Sequence, residues 1–221
     1  MRTRCILLVL LVMLAIAGRA QVTDPFGVPQ GSVPIIDGSL SSDEWADALS
    51  IPLNTDSTLF LKYAEGYMFL AVRATTMGIP SPLIVRGDEI HVLHASAALG
   101  TAIYTHEEAW ILQQEFDWQC RMRGFTAAAV AERDHFLEQE GWLGTIGYLG
   151  TPTEFEYMIL LGEEPLQMLF LFLETTRPFQ VLSWPLHTDI AASYLEIITG
   201  PIPSEEAFDI DSWAILVPVH D

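Results

Sequence analysis

Most of the chain beyond its leading segment alternates apolar and polar residues with a period of two. Leu59, Leu61 and Tyr63 alternate with Thr58, Phe60 and Lys62, as they would on a strand whose successive side chains face opposite ways. Ala64-Glu65-Gly66 turns the chain, and Met68, Leu70 and Val72 then share one face of a returning strand. Further strands are predicted from Gly87 to His94, across Trp110 to Trp118, from Trp142 to Tyr148, through Phe155, Tyr157 and Ile159, at Phe179–Leu182, and from Ser212 to Val217. His91 and His94 are three apart on one such strand, so they face opposite ways and cannot chelate one metal together. Leu166 to Leu173 is apolar at every second position on both faces, which suits a central buried strand. Met77 to Arg86, with Pro80 and Pro82, reads as a loop, as does Trp184-Pro185-Leu186-His187. One helix is predicted, from Thr126 to Gln139: Thr126 caps it, the alanine run favours it, and Gly141 ends it. About eight to eleven short strands with turns between them make an all-β sandwich carrying one inserted helix.

The hairpin is preceded by Ile36-Asp37-Gly38, which has turn chemistry, and by Ser41 or Ser42 capping one helical turn that carries Trp45. Ile-Asp-Gly, then Glu44-Trp45-Ala46-Asp47-Ala48, then a hairpin ending Tyr67-Met68-Phe69-Leu70-Ala71-Val72 resembles the opening of carbohydrate-binding module family nine and its DOMON-like relatives. Glu154-Phe155-Glu156-Tyr157 resembles a late strand of that family, and Trp213 its Trp-containing ending; the usual Ile-Pro close of the late strand is missing. His91 stands where the family writes an acidic residue, which weakens transfer of any role to that position. The resemblance implies a jelly-roll-like antiparallel β-sandwich, with the 126–139 helix as an insertion, and implies sugar binding without catalysis.

Residues 1–20 pair Arg2 and Arg4 with an apolar run from Cys5 to Ala17 and a small-residue ending, Gly18-Arg19-Ala20, the pattern of a secretory signal peptide. The expected organisation is therefore a signal peptide over 1–20, an aperiodic leader over 21–34 and one domain over 35–221. The protein is expected to be exported, periplasmic or extracellular, with no membrane insertion after cleavage. Cys120 is the one cysteine beyond the signal, so no intramolecular disulfide forms there. The chain has 29 acidic and 10 basic residues; without the three arginines of the signal, its net charge is −22. Such a surface repels nucleic acid and anionic membranes and attracts cations, which leaves calcium open as a partner. Solubility, or adaptation to a salty environment, accounts for the charge better than a specific acidic site does.

No catalytic or cofactor motif is present: no His-Glu-x-x-His, no Gly-x-Ser-x-Gly and no phosphate loop. With so many carboxylates, a pair suited to glycoside hydrolysis carries no information. Sugar binding needs an exposed aromatic face with polar groups beside it. Of six tryptophans, Trp45 and Trp213 fall in the framework motifs and Trp142 on an apolar face. That leaves Trp184, in its expected loop, with Trp110 or Trp118 as the second ring, and His187, Asp189 and Arg121 to orient hydroxyls. The expected partner is a carbohydrate or cell-surface polymer. Two alternatives stand beside it: a structural or interaction sandwich without sugar binding, and a haem-binding electron-transfer domain, which needs a His/Met or Met/Lys pair facing an apolar slot between the sheets.

Overall fold

The alternating segments become two sheets in the computed structural model, which describes residues 24–147, 150–186 and 192–219. The expected signal peptide lies outside the described residues. The strands are β1 (Phe26–Pro29), β2 (Leu49–Pro52), β3 (Ser57–Ala64), β4 (Tyr67–Ala74), β5 (Gly78–Arg86), β6 (Glu89–Ala95), β7 (Leu99–His106) and β8 (Trp110–Gln114). Helix α1 (Ala127–Glu140) follows, then β9 (Trp142–Gly144), β10 (Thr153–Leu160), β11 (Leu166–Glu174) and β12 (Gln180–Trp184). Helix α2 (Ala192–Thr199), β13 (Glu205–Glu206) and β14 (Ala214–Val219) complete the chain. One sheet has five strands, β2-β3-β4-β10-β9; the other has nine, β1-β14-β11-β5-β6-β7-β8-β13, with β12 beside the far end of β11. The pairings are antiparallel except for β1 on β14. This is the expected β-sandwich with an inserted helix. Thr126 caps α1 by accepting from Ala129 N–H, and Gly141 ends it at φ 67°.

Between the sheets pack Leu59, Leu61, Leu70, Phe155 and Tyr157 from the smaller one and Ile84, Leu93, Phe170 and Phe172 from the larger. Each sheet is also covered on its outer side. Leu169, Leu171, Leu83, Val92 and Trp213 face away from the sandwich core and are covered by Ile197 and Ile198 of α2 and by Phe208. Burial on both faces is why β11 is written Leu-Gln-Met-Leu-Phe-Leu-Phe-Leu. The outer face of the smaller sheet is covered by a strap, residues 31–48, which packs Ile36, Leu40 and Trp45 against it and adds directed polar contacts. Glu156, fully buried, accepts hydrogen bonds from Asp37 N–H (2.9 Å), Gly38 N–H (2.7 Å) and the Trp45 indole (3.0 Å). Lys62, also fully buried, pairs with Asp47 at 2.9 Å, donates to the Glu44 carbonyl and lies 4.9 Å from the Trp45 ring centroid. Arg73 joins Glu154 to the Leu40 carbonyl. Trp45 is thus a framework residue, 5% exposed. Ser41 caps its turn, taking the Glu44 N–H and donating to that carboxylate.

Four expectations are corrected. Residues 78–86 are not a loop but β5, near the middle of the larger sheet. β5 pairs with β11 along Gly78–Ile84 but with β6 only along Leu83–Arg86, so both prolines, two residues apart, forfeit donors on the β6 side. The Pro80 carbonyl instead accepts from the Tyr157 hydroxyl across the sandwich. Trp184 closes strand β12 rather than sitting in a loop. Part of the expected leader forms the edge strand β1. Finally, α2 is a second helix, where none was expected.

Two outcomes follow from the strap. Gly38 has φ 85°, and a Cβ there would stand 2.7 Å from Thr145 Cγ2. Gly38→Ala should cost about 2–4 kcal/mol in urea unfolding, whereas Gly162→Ala, in open space, should stay within about 0.5 kcal/mol. Burial pushes the Glu156 carboxyl from 4.5 up to about 7, against the pull of its three donors. The native state therefore holds this proton more tightly than the unfolded chain. The contribution is full below about 4.5, and stability should fall by about 3 kcal/mol as pH rises through about 7. Subtracting the pH profile of Glu156→Gln isolates this component; identical profiles for the two proteins would refute it.

Candidate functional site

The outer face of the larger sheet is where side chains become available to a ligand. His94 of β6 lies there, beside Gly100, Ala102 and Tyr104 of β7, which alternate with the inward-facing Thr101 and Ile103. β8 pairs only with the second half of β7, so the first half has a free edge. The chain returns to that edge at Gln119, which exchanges backbone hydrogen bonds with Leu99 at 2.9 and 3.1 Å. Residues 116–120 are held there without forming a regular strand. Phe116 and Trp118, two apart, stack with centroids 4.9 Å apart and planes 25° apart. Both rings meet His94, at 5.6 and 5.2 Å. Gly100 permits this seat, since a Cβ would lie 2.9 Å from Trp118 Cε3. Trp118 nevertheless remains 38% exposed. Arg121 donates through Nε and Nη2 to the Trp118 carbonyl at 3.3 and 3.2 Å, so its guanidinium is tied to the same segment. Burial lowers His94 to about 4, leaving it neutral at pH 7, with Nδ1 3.4 Å from Ser81 Oγ. The shelf thus has an uncharged floor and a charged rim.

A second aromatic group lies farther along β7. Trp110 packs against His106 at 4.9 Å and Phe208 at 6.1 Å, and Phe208 in turn against Tyr104 at 5.0 Å. Trp110, Phe208 and His106 border an open groove of about 740 Å³ formed by the β7–β8 turn and residues 205–209, with Glu108, Glu205, Glu206 and Asp209 also on its lining. Gly100 and His106, which mark the two groups, are six strand residues apart, about 20 Å.

Of the residues expected to form one site, the structure brings Trp118 and Arg121 together. Trp110 is buried in the second group, 7% exposed. Trp184 is half-buried at the other side of the sheet, edge-on to Phe26 at 5.0 Å and packed against the inter-sheet core. His187 and Asp189 lie outside the described residues. Sequence reasoning missed Phe116 and His94 as partners of Trp118. The period-two spacing of Phe116 and Trp118 was the available signal, but nothing local showed that the chain folds back to β7.

Nucleophilic chemistry finds no support in these positions. Cys120 is buried, and desolvation, with Glu132 nearby, pushes its thiol up to about 11. Burial also lowers the pKa of His91, which rests on Glu89 at 2.9 Å. Among the described residues no group of three or more His, Cys, Asp or Glu is placed to hold a metal ion. Met68 and Met168 pack in the inter-sheet core, while Lys62 and His94 lie on outer faces. Among the described residues no helix is long and apolar enough to cross a membrane.

No family model and no curated protein matches the chain. A crystal structure of a Bacteroides uniformis protein described as a "putative carbohydrate-binding protein" aligns with a TM-score of 0.41 at 8% identity, over 87% of this chain and 99% of that one. At that score and identity the likeness carries no argument about ligand or site.

Proposed function

We propose that the protein is exported and binds a carbohydrate or cell-surface polymer without catalysis, on the shelf formed by Trp118 and Phe116. The observation that carries this reading is the exposure of Trp118. Trp45, Trp110, Trp142 and Trp213 are 7% exposed or less, and Trp184 is occupied by Phe26. A sugar ring needs apolar aromatic surface open to water and a hydrogen-bonding rim. Trp118 and Phe116 supply the surface; Arg121 and the exposed Asp117 supply the rim. Export rests on the charged, apolar and small-residue pattern of residues 1–20.

A second reading, an interaction sandwich that binds protein and no sugar, draws on the same segment. Met122 and Phe125 follow Trp118 closely in sequence and are 49% and 64% exposed, more apolar surface than one sugar subsite uses.

A glycan array probed with the mature protein, followed by titration of the hits, separates the two. Sugar binding should appear and should vanish in Trp118→Ala, with a melting temperature within about 3 °C of wild type because the ring is partly exposed. Binding that survives Trp118→Ala would remove the shelf from the account. Absence of any glycan binding at millimolar concentration would remove the carbohydrate and leave the interaction reading.

A further inference from the structure

We infer that the ligand of the Trp118 shelf is an acidic polysaccharide, one whose sugar rings carry carboxylate or sulfate groups. This ligand class rests on the shelf reading proposed above and adds the charge of what binds there. The 10 basic residues, less the three arginines of residues 1–20, leave seven cations against 29 acids. Three of those seven, Arg121, Arg123 and Arg133, fall in one stretch of 13 residues. No acidic residue occurs from Trp118 to Ala131. Positive charge is thus concentrated next to the place where aromatic surface opens to water.

In so acidic a chain, a cation that serves only the fold has carboxylates in plenty to pair with. Lys62 and Arg73 do so, with Asp47 and Glu154. Arg121 does not. Among the described residues it makes no ion pair, and its Nε and Nη2 donate to the Trp118 carbonyl. Those two bonds hold the guanidinium at the shelf while the residue stays exposed and its charge uncompensated. The nearby acids are engaged elsewhere: Asp117 accepts from the Gln119 amide at 2.9 Å, and Glu132 from Met122 N–H at 2.7 Å. Arg123, two residues on and also exposed, donates to the Gly147 carbonyl and continues the strip of positive charge. Helix α1 begins directly after this segment with no acid in its first turn, so its positive end is not offset there.

A sugar ring stacked on Trp118 and carrying an anionic group meets both features at once, because the guanidinium is tied to the backbone of that same residue. A neutral sugar uses the rings and leaves the arginine charge unanswered. An acidic peptide uses the arginine and brings no flat sugar face to the indole. Single-stranded nucleic acid carries a charge at every phosphate and needs a cationic groove along its whole backbone. Three arginines on a chain of net charge −22 fall far short of that. Repulsion from the rest of the surface is short-ranged, since charges beyond about 8 Å are largely screened at physiological salt. At contact range the ligand meets the acid-free strip.

Calorimetric titration of the mature protein at about 0.15 M salt tests this with two charged sugars, oligogalacturonate and a sulfated galactan oligomer. Each is paired with its uncharged counterpart, the methyl ester and the unsulfated galactan; poly-glutamate and oligothymidylate serve as anions without a sugar acid. At least one charged sugar should bind saturably, and its counterpart about tenfold more weakly. Which of the two binds more tightly tells carboxylate from sulfate. Arg121→Gln, at an exposed position, should weaken the charged sugar about tenfold and bring it close to its counterpart. Trp118→Ala should abolish binding, and Arg177→Gln, exposed between β11 and β12, should leave it unchanged. An acidic ligand is overturned if neither charged sugar binds at millimolar concentration, or if each is matched by its counterpart. It is equally overturned if Arg177→Gln weakens binding as much as Arg121→Gln, or if poly-glutamate or oligothymidylate binds as tightly as the charged sugars. Equal binding of charged and uncharged sugars leaves the shelf itself standing; loss of all glycan binding removes both.

Discussion

A strand that is apolar on both faces has to be covered twice, and this requirement organises the molecule. β11 sends Met168, Phe170 and Phe172 into the sandwich and Leu169, Leu171 and Leu173 out of it. Two sheets alone would leave that second set in water. The chain after β12 supplies the second cover, with Ile197, Ile198 and Phe208 laid over the outward leucines. Burial of each such side chain is worth about 1.5–3 kcal/mol, which makes leaving the face bare expensive. Toward β7 and β8 the outer face carries aromatic rings, and both the shelf and the groove lie in that region.

The smaller sheet meets the same requirement with different chemistry. Its strap is short and turn-rich, and its buried large apolar residues are Ile36, Leu40 and Trp45, so directed contacts also hold it. Glu156 takes two backbone donors of the Asp37-Gly38 turn and the Trp45 indole, while Lys62 ties down the segment around Asp47. Buried charges of this kind add little net stability relative to apolar packing, but losing one partner is costly because the other stays buried. They therefore fix where the strap sits more than they strengthen the fold. The strap holds its register through Glu156; the far cover holds by area.

Much of this was legible from local pattern. The β3–β4 hairpin follows from alternation and Glu65-Gly66, α1 from Thr126 and Gly141, and the twofold burial of β11 from its apolar run. What escaped depended on distant partners. Pro80 and Pro82 argue against a strand unless both missing donors face one side, which only the pairing with β11 and β6 reveals. Leu195, Ile197 and Ile198 occupy a helix of eight residues, too short for periodicity to announce. The resemblance identified the Ile-Asp-Gly and Glu-Phe-Glu segments separately; that Glu156 accepts from Asp37, 119 positions away, is a tertiary fact. The site was legible in part for the same reason. Trp118 and Arg121 are neighbours in sequence and remain so in space, whereas Trp184 required knowing that β12 extends to it and that Phe26 lies across from it.

We propose that a ligand binds on the outer face of the larger sheet at Trp118, apart from the framework tryptophans. Indole N–H resonances report on each tryptophan separately in one spectrum of the mature protein. On titration with a binding glycan, the Trp118 signal should shift progressively and saturate, while those of Trp45, bonded to Glu156, and of the fully buried Trp142 and Trp213 stay in place. A saturating shift at Trp184 with Trp118 unmoved would contradict the account and move the site to the β12 edge.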